Sequence, residues 1–216
     1  MRRYALYYAP DAGDALWQAG CAWLDPRAPL AGLAKIAAEP RRYGLHATLK
    51  PPMRLIEGAD ADAVLAAARA VAGQVPAFAL PPLAVTDWHG FLCLRETLAS
   101  PSLQALADAC VAGLDHLRAA PDAAELARRR GVGLTRAQDA NLRRWGYPHV
   151  FATWFFHMTL SRRLTSAELP DWRAAATRWF AAALAQPRHV RALCVFEQPG
   201  ADEPFHVIAR LPLAAD

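Results

Sequence analysis

Apolar positions recur along the chain with two periods, and the alternation between them predicts its elements. Arg3 to Ala9 carries apolar residues on both faces of a short extended run and predicts a strand. Asp14 to Leu24 has helical spacing, and a stretch punctuated by proline and glycine follows through Pro40. A second apolar, β-branched run contains His46-Ala47-Thr48-Leu49 and is expected to close at Pro51-Pro52. Asp60 to Gly73 then reads as an alanine-rich helix, Phe78 to Val85 and Phe91 to Arg95 as extended pieces, and Pro101-Ser102 opens a helix to Leu117. Beyond the middle of the chain, a strand around His157-Met158-Thr159-Leu160 precedes a helix capped by Thr165 or Ser166. That helix runs through Leu184 to a stop at Pro187. Val190 to Phe196 and Phe205 to Leu211 complete the pattern as strands around a turn at Gly200.

The order repeats. Strand, helix, variable connection, His-x-Thr-Leu strand, helix, strand, strand describes the first half, and Phe91 to Arg95 begins a second copy. The expected fold is therefore α+β: one domain over 1–216 with two pseudo-symmetric lobes, each a mostly antiparallel sheet backed by helices, about a central cleft. The approximate repeats are 1–90 and 91–216. The least repetitive stretch, 120–147, is a basic insertion with Arg128-Arg129-Arg130, Arg136 and Arg143-Arg144. Anion binding and a solvated helix face paired with Asp122, Glu125 and Asp139 are both open for these arginines.

In a strand, side chains two apart share a face, so each motif sets an imidazole beside a hydroxyl while Ala47, Leu49, Met158 and Leu160 fill the opposite face. Imidazole titrates near neutrality, so one histidine can take a proton while the other gives one. Thr48 and Thr159 can donate to phosphate oxygens. Lys50, four residues past His46 and on its predicted face, is a candidate for neutralising phosphate. Its counterpart is Ser161, followed by Arg162. Tyr43, Trp145 and Tyr147 are candidate cleft walls, with ordinary packing as the alternative; Arg54 and Arg162 are further candidate anion contacts.

Composition narrows the class. A chain of 216 residues, 54% hydrophobic and 20% charged, can bury a core and is not disordered. Its formal net charge of +4, mainly from arginine, favours anionic partners, phosphorylated metabolites and nucleic acid alike. Cys21, Cys93, Cys110 and Cys194 lack Cys-x-x-Cys spacing and read as buried thiols in a reducing cytosol. No signal-peptide core or membrane-length apolar run is present, so a cytoplasmic protein without membrane association is expected. Each motif has one histidine and no adjacent second ligand, which argues against zinc. A Gly-rich phosphate loop, a serine elbow and a His-Glu-x-x-His helix are absent, which argues against an ordinary ATPase, an α/β-hydrolase and a zincin.

Three segments carry a resemblance: Arg42 to Leu55 around the first motif, Arg144-Trp145-Gly146-Tyr147-Pro148, and Phe156-His157-Met158-Thr159-Leu160. They resemble the 2H phosphoesterase superfamily, and most closely its bacterial phosphonate-metabolism branch. The resemblance implies acid/base chemistry by His46 and His157, phosphate orientation by Thr48 and Thr159, and neither metal nor cofactor. It also implies metal-independent hydrolysis of a cyclic phosphate, on a small phosphorylated sugar or phosphonate-pathway intermediate. RNA ending in 2′,3′-cyclic phosphate is the alternative substrate, and a non-catalytic phosphate- or RNA-binding module the alternative role. Protein partners are not indicated.

Overall fold

A computed structural model describes residues 1–131 and 133–215. The chain runs β1 (Arg3–Tyr8), α1 (Ala15–Leu24), α2 (Leu33–Ile36), α3 (Ala38–Arg41), β2 (Ala47–Met53), α4 (Ala61–Ala72), β3 (Phe78–Leu80), β4 (Leu83–Trp88) and β5 (Phe91–Glu96). It continues through α5 (Pro101–Leu114), α6 (Ala123–Arg130), α7 (Arg136–Trp145), β6 (Met158–Arg163), α8 (Leu169–Leu184), β7 (Arg188–Val190), β8 (Ala192–Gln198) and β9 (His206–Pro212). Several differences from the sequence reading have local causes. Pro81-Pro82 splits the first extended piece into β3 and β4. The helix from Pro101 ends at Leu114, and 115–117 tighten into a 3-10 turn. Thr165 accepts from the Glu168 amide and closes a turn before α8, which begins only at Leu169. Short helices α2 and α3 occupy part of the stretch before Pro40, and the basic insertion folds as α6 and α7.

Antiparallel pairing joins seven strands in the order β4-β5-β6-β2-β1-β8-β9, and β3 pairs with β7 separately. The order is symmetric about the β6/β2 junction: β6 answers β2, β5 answers β1, and β4 answers β8. β4 of the first half thus joins the strands of the second, and β8, with β9 beyond it, joins those of the first. At the junction Ala47 pairs with Met158, and the Trp154 indole donates to the Thr48 carbonyl at 2.9 Å.

Helices cover one side of this sheet. α4 packs on α5, α1 on α8, α5 against β2 and α8 against β4. The main core between the layers includes Leu6, Leu49, Leu94, Met158 and Leu160. Beneath the second motif, fully buried Trp23 donates its indole N–H to the Leu160 carbonyl at 2.8 Å and meets Trp179 and Phe180 at ring distances of 5.6 and 5.5 Å. A smaller cluster, with Ala5, Tyr7, Cys194, Phe196 and Phe205, lies on the opposite face. Both faces of β1 are therefore apolar for separate reasons. Three cysteines are buried as expected; Cys21 is exposed on α1, and all four are free thiols. No helix among the described residues is long and apolar enough to cross a membrane.

Irregularities in the motif strands decide which residues face the cleft. Tyr7 lies opposite Thr48 but Leu6 lies opposite Lys50, so β2 carries one residue more than β1 at this point. This β-bulge turns Lys50 onto the face of Leu6. Lys50 is 2% exposed and donates Nζ to the Val111 carbonyl at 3.1 Å, in the last turn of α5. The expectation that Lys50 shares the face of His46 and Thr48 is thus corrected, because strict alternation does not survive a bulge. β6 is irregular too: Cys93 faces Thr159 and Phe91 faces Arg163. There the Ser161 hydroxyl accepts from the Leu92 amide at 3.0 Å and donates to the Arg162 carbonyl at 2.7 Å.

Candidate functional site

His46 and His157 each stand one residue before their motif strand. Because Ala47 pairs with Met158 in antiparallel sense, His46 comes beside Thr159 and His157 beside Thr48. All four line one cleft of about 990 Å³ on the sheet face opposite α1, α4, α5 and α8. Each imidazole is fixed in the same way. His46 Nδ1 lies 3.0 Å from the Gly44 carbonyl and His157 Nδ1 lies 3.2 Å from the Phe155 carbonyl. With Nδ1–H as donor in the neutral ring, Nε2 is left as the acceptor. Gly44 reaches its position with φ of 72°, a left-handed conformation that favours glycine. Thr48 Oγ1 lies 3.3 Å from His46 Nε2, so the hydroxyl can serve that nitrogen until another acceptor arrives.

Aromatic rings back both histidines. Tyr7 stacks on His46 at 3.9 Å, with Phe196 and Tyr43 at 6.3 and 6.0 Å. Phe155 stacks on His157 at 4.7 Å, and the Arg95 guanidinium lies over Phe155 and Trp88. Burial is the main reason the His46 pKa is pushed down to about 4; the Gly44 hydrogen bond opposes it and His157 adds to it. Burial also lowers the His157 pKa, with Arg95 contributing in the same direction. Both rings are neutral at pH 7, each with an unprotonated Nε2. On the helix side, burial lowers the Lys50 pKa to about 8.

The structure gathers the other expected residues unevenly. Tyr43, Tyr147 and Arg54 line the cleft. Trp145 instead packs on Phe151 under the Arg144 guanidinium, and Arg162 pairs with Glu168 at 2.7 Å; neither lines the cleft. Of the insertion arginines, Arg128 and Arg129 face the cleft, whereas Arg130 and Arg143 pair with Asp139 and Arg144 pairs with Asp115. Sequence reasoning missed Tyr7, Arg3, Arg42 and Arg118. A signal for Tyr7 was present: a strand apolar on both faces must cover something on each. Among the described residues no three His, Cys, Asp or Glu side chains cluster as a metal site would require.

Residues 48–206 match the family model described as "Protein of unknown function (DUF1045)". The chain belongs to the DUF1045 family. Two curated relatives resemble this DUF1045 chain over nearly its whole length. One is "Ribose 1,5-bisphosphate phosphokinase PhnN" of Janthinobacterium sp. (strain Marseille), 39% identical over 99% of the chain and 51% of the relative. The other, of the same name, is from Laribacter hongkongensis (strain HLHK9), 38% identical over 95% of the chain and 50% of the relative. The chain spans about half the length of these relatives. Among solved structures, E. coli LigT complexed with 3′-AMP aligns with TM-score 0.50 and 16% identity, covering 99% of this chain and 98% of that one. The apo form of LigT gives the same TM-score at 15% identity. The fold is thus the 2H-phosphoesterase-like one that the motifs imply, an α+β arrangement of antiparallel sheet backed by helices.

The relatives correct the expected activity. They carry a phosphokinase name, one of phosphoryl transfer, and not that of a hydrolase or cyclic phosphodiesterase. The expectation of metal-independent phosphodiester hydrolysis, with the hydrolase and phosphoesterase descriptions that went with it, is set aside on this finding. The alternatives tied to it, RNA end processing and a non-catalytic accessory module, go with it. The motifs misled because fold and reaction are separable: a shared fold does not fix the chemistry carried on it.

Proposed function

We infer that this chain forms the acceptor-side cleft for phosphoryl transfer to a phosphorylated ribose. The observation carrying this reading is the pairing of two neutral imidazoles with two threonine hydroxyls in a single cleft rimmed by arginine. The kinase-named relatives supply the substrate class. In this reading Thr48 and Thr159 donate to non-bridging oxygens of one ligand phosphate. One imidazole Nε2 accepts the proton of the phosphate monoanion, leaving the dianion as the stronger nucleophile toward a phosphoryl donor. The sequence contains no Gly-x-x-x-x-Gly-Lys-Ser/Thr loop, so the cradle for a triphosphate donor is not assigned to this chain.

Calorimetric titration with ribose 1,5-bisphosphate tests the reading. The His46→Ala/His157→Ala double variant is expected to bind at least about tenfold more weakly than wild type. A phosphate placed against an imidazole raises its pKa, so binding of the dianion takes up a proton that the monoanion would bring with it, and affinity falls as pH rises through the value in the complex. Proton uptake is checked by repeating the titration in buffers of different ionisation enthalpy. No binding by wild type, or equal binding by both proteins, would overturn the assignment.

A further inference from the structure

α6 covers the cleft without burying a single residue. Its charged residues pair with one another and with Arg54. Glu125 accepts from Arg129 Nη2 at 2.8 Å, and Arg54 Nη2, from the segment after β2, lies 3.6 Å from Asp122 and 3.8 Å from Glu125. Arg54 also donates to the Ala120 carbonyl at 3.3 Å. Arg128, one residue before Arg129, is exposed on the cleft and has no ion-pair partner among the described residues. Of the four arginines at this end, Arg54 and Arg129 thus pair with Asp122 and Glu125, while Arg118 is held by Asp115 at 2.8 Å. Glu125 is the anion that Arg54 and Arg129 share.

This basic end is continuous with the histidines. The Arg129 guanidinium lies 5.0 Å from the centre of the Tyr147 ring, and Tyr147 lines the same cleft as Tyr7, whose ring stacks on His46. A ligand with one phosphate at the His/Thr pairs can extend toward α6. Guanidinium groups suit a phosphate there because they bind it with paired, charge-assisted hydrogen bonds.

We propose that Arg54, Arg128 and Arg129 form a second phosphate subsite, for the distal phosphate of a bisphosphorylated sugar, and that Glu125 occupies it as an internal anion which the ligand displaces. This rests on the ribose-phosphate reading of the His/Thr site and adds a requirement for two phosphates. Displacing Glu125 frees two arginines that now bind a carboxylate, and the monophosphate, which does not reach them, gains nothing from the exchange.

Affinities of ribose 1,5-bisphosphate and ribose 5-phosphate, measured by calorimetry on the whole chain, test the subsite. Wild type is expected to prefer the bisphosphate by at least about tenfold, and Arg54→Gln/Arg129→Gln to lose that preference while holding the monophosphate within about twofold. Glu125→Gln keeps the side-chain volume but removes the competing charge, and is expected to tighten the bisphosphate alone by about fivefold. Should Arg54→Gln/Arg129→Gln not fold, as circular dichroism would reveal, the Glu125→Gln result decides the matter. Equal affinity of wild type for the two sugars, or equal effects of Glu125→Gln on both, overturns the subsite and leaves the His/Thr reading intact. Wild type binding neither sugar overturns both.

Discussion

Between pH 7 and pH 4 the unfolding free energy is expected to fall by about 3 kcal/mol on account of His46 alone. Its pKa in the folded protein is about 4, against an ordinary 6.5, because burial against Tyr7 disfavours the imidazolium. Above pH 6.5 both folded and unfolded chains hold it neutral, and the titration contributes nothing. As pH falls from 6.5 toward 4, the unfolded chain binds a proton that the folded one refuses, so stability is lost through that window. The His157 pKa is also lowered, and this adds in the same direction. Urea unfolding at pH 7, 5.5 and 4 measures the slope. His46→Asn keeps a donor for the Gly44 carbonyl but cannot titrate, and its curve is expected to be flatter by about 3 kcal/mol over the same range. Identical slopes for the two proteins would show that the ring is not held neutral.

Replacing Trp23 by alanine is expected to cost about 4 kcal/mol or more, a large share of an ordinary domain's stability. The indole is fully buried among Trp172, Trp179 and Phe180, so its loss leaves a cavity that these rings cannot readily close. It also strips the Leu160 carbonyl of its donor. Trp23→Phe separates the contributions: most of the apolar contact remains, while the unmet carbonyl accounts for an expected loss of about 1–3 kcal/mol. Chemical denaturation of both variants provides the comparison. A cost below about 1 kcal/mol for the alanine variant would mean that the aromatic cluster does not hold β6 in place.

The strands and helices with strong periodicity were legible because burial imposes that periodicity, and the duplicated His-x-Thr-Leu text marked both motif strands. What local sequence could not disclose was register. Lys50 sits at the spacing that should place it beside His46, yet the extra residue in β2 sends it under α5. Trp145 and Tyr147 look equivalent as text; the turn at Gly146, with φ of 73°, precedes Tyr147 at the cleft, while Trp145 packs on Phe151. The insertion arginines divided for a similar reason. Asp139 and Asp115 claim Arg143 and Arg144 of α7 and Arg130 of α6, and only tertiary placement leaves Arg128 and Arg129 at the cleft. Chemistry was the least legible of all, since the same paired motifs fit a hydrolase expectation that the kinase-named relatives do not support.

The crossed placement of β4 and β8 has a consequence for how the molecule reaches its native state. Each pairs across the halves: β4 with β5, and β8, which also carries β9 on its outer edge, with β1 at nearly two hundred residues' separation. A nascent first half therefore emerges with the β1 edge open until β8 is synthesised, and pairing of such sequence separation forms slowly. During that interval the cheapest partner for an open edge is the same edge of another copy. Kinetic partitioning between intramolecular closure and strand-exchanged dimers is then a property of this topology, and slow, dilute refolding is the condition that favours the monomer.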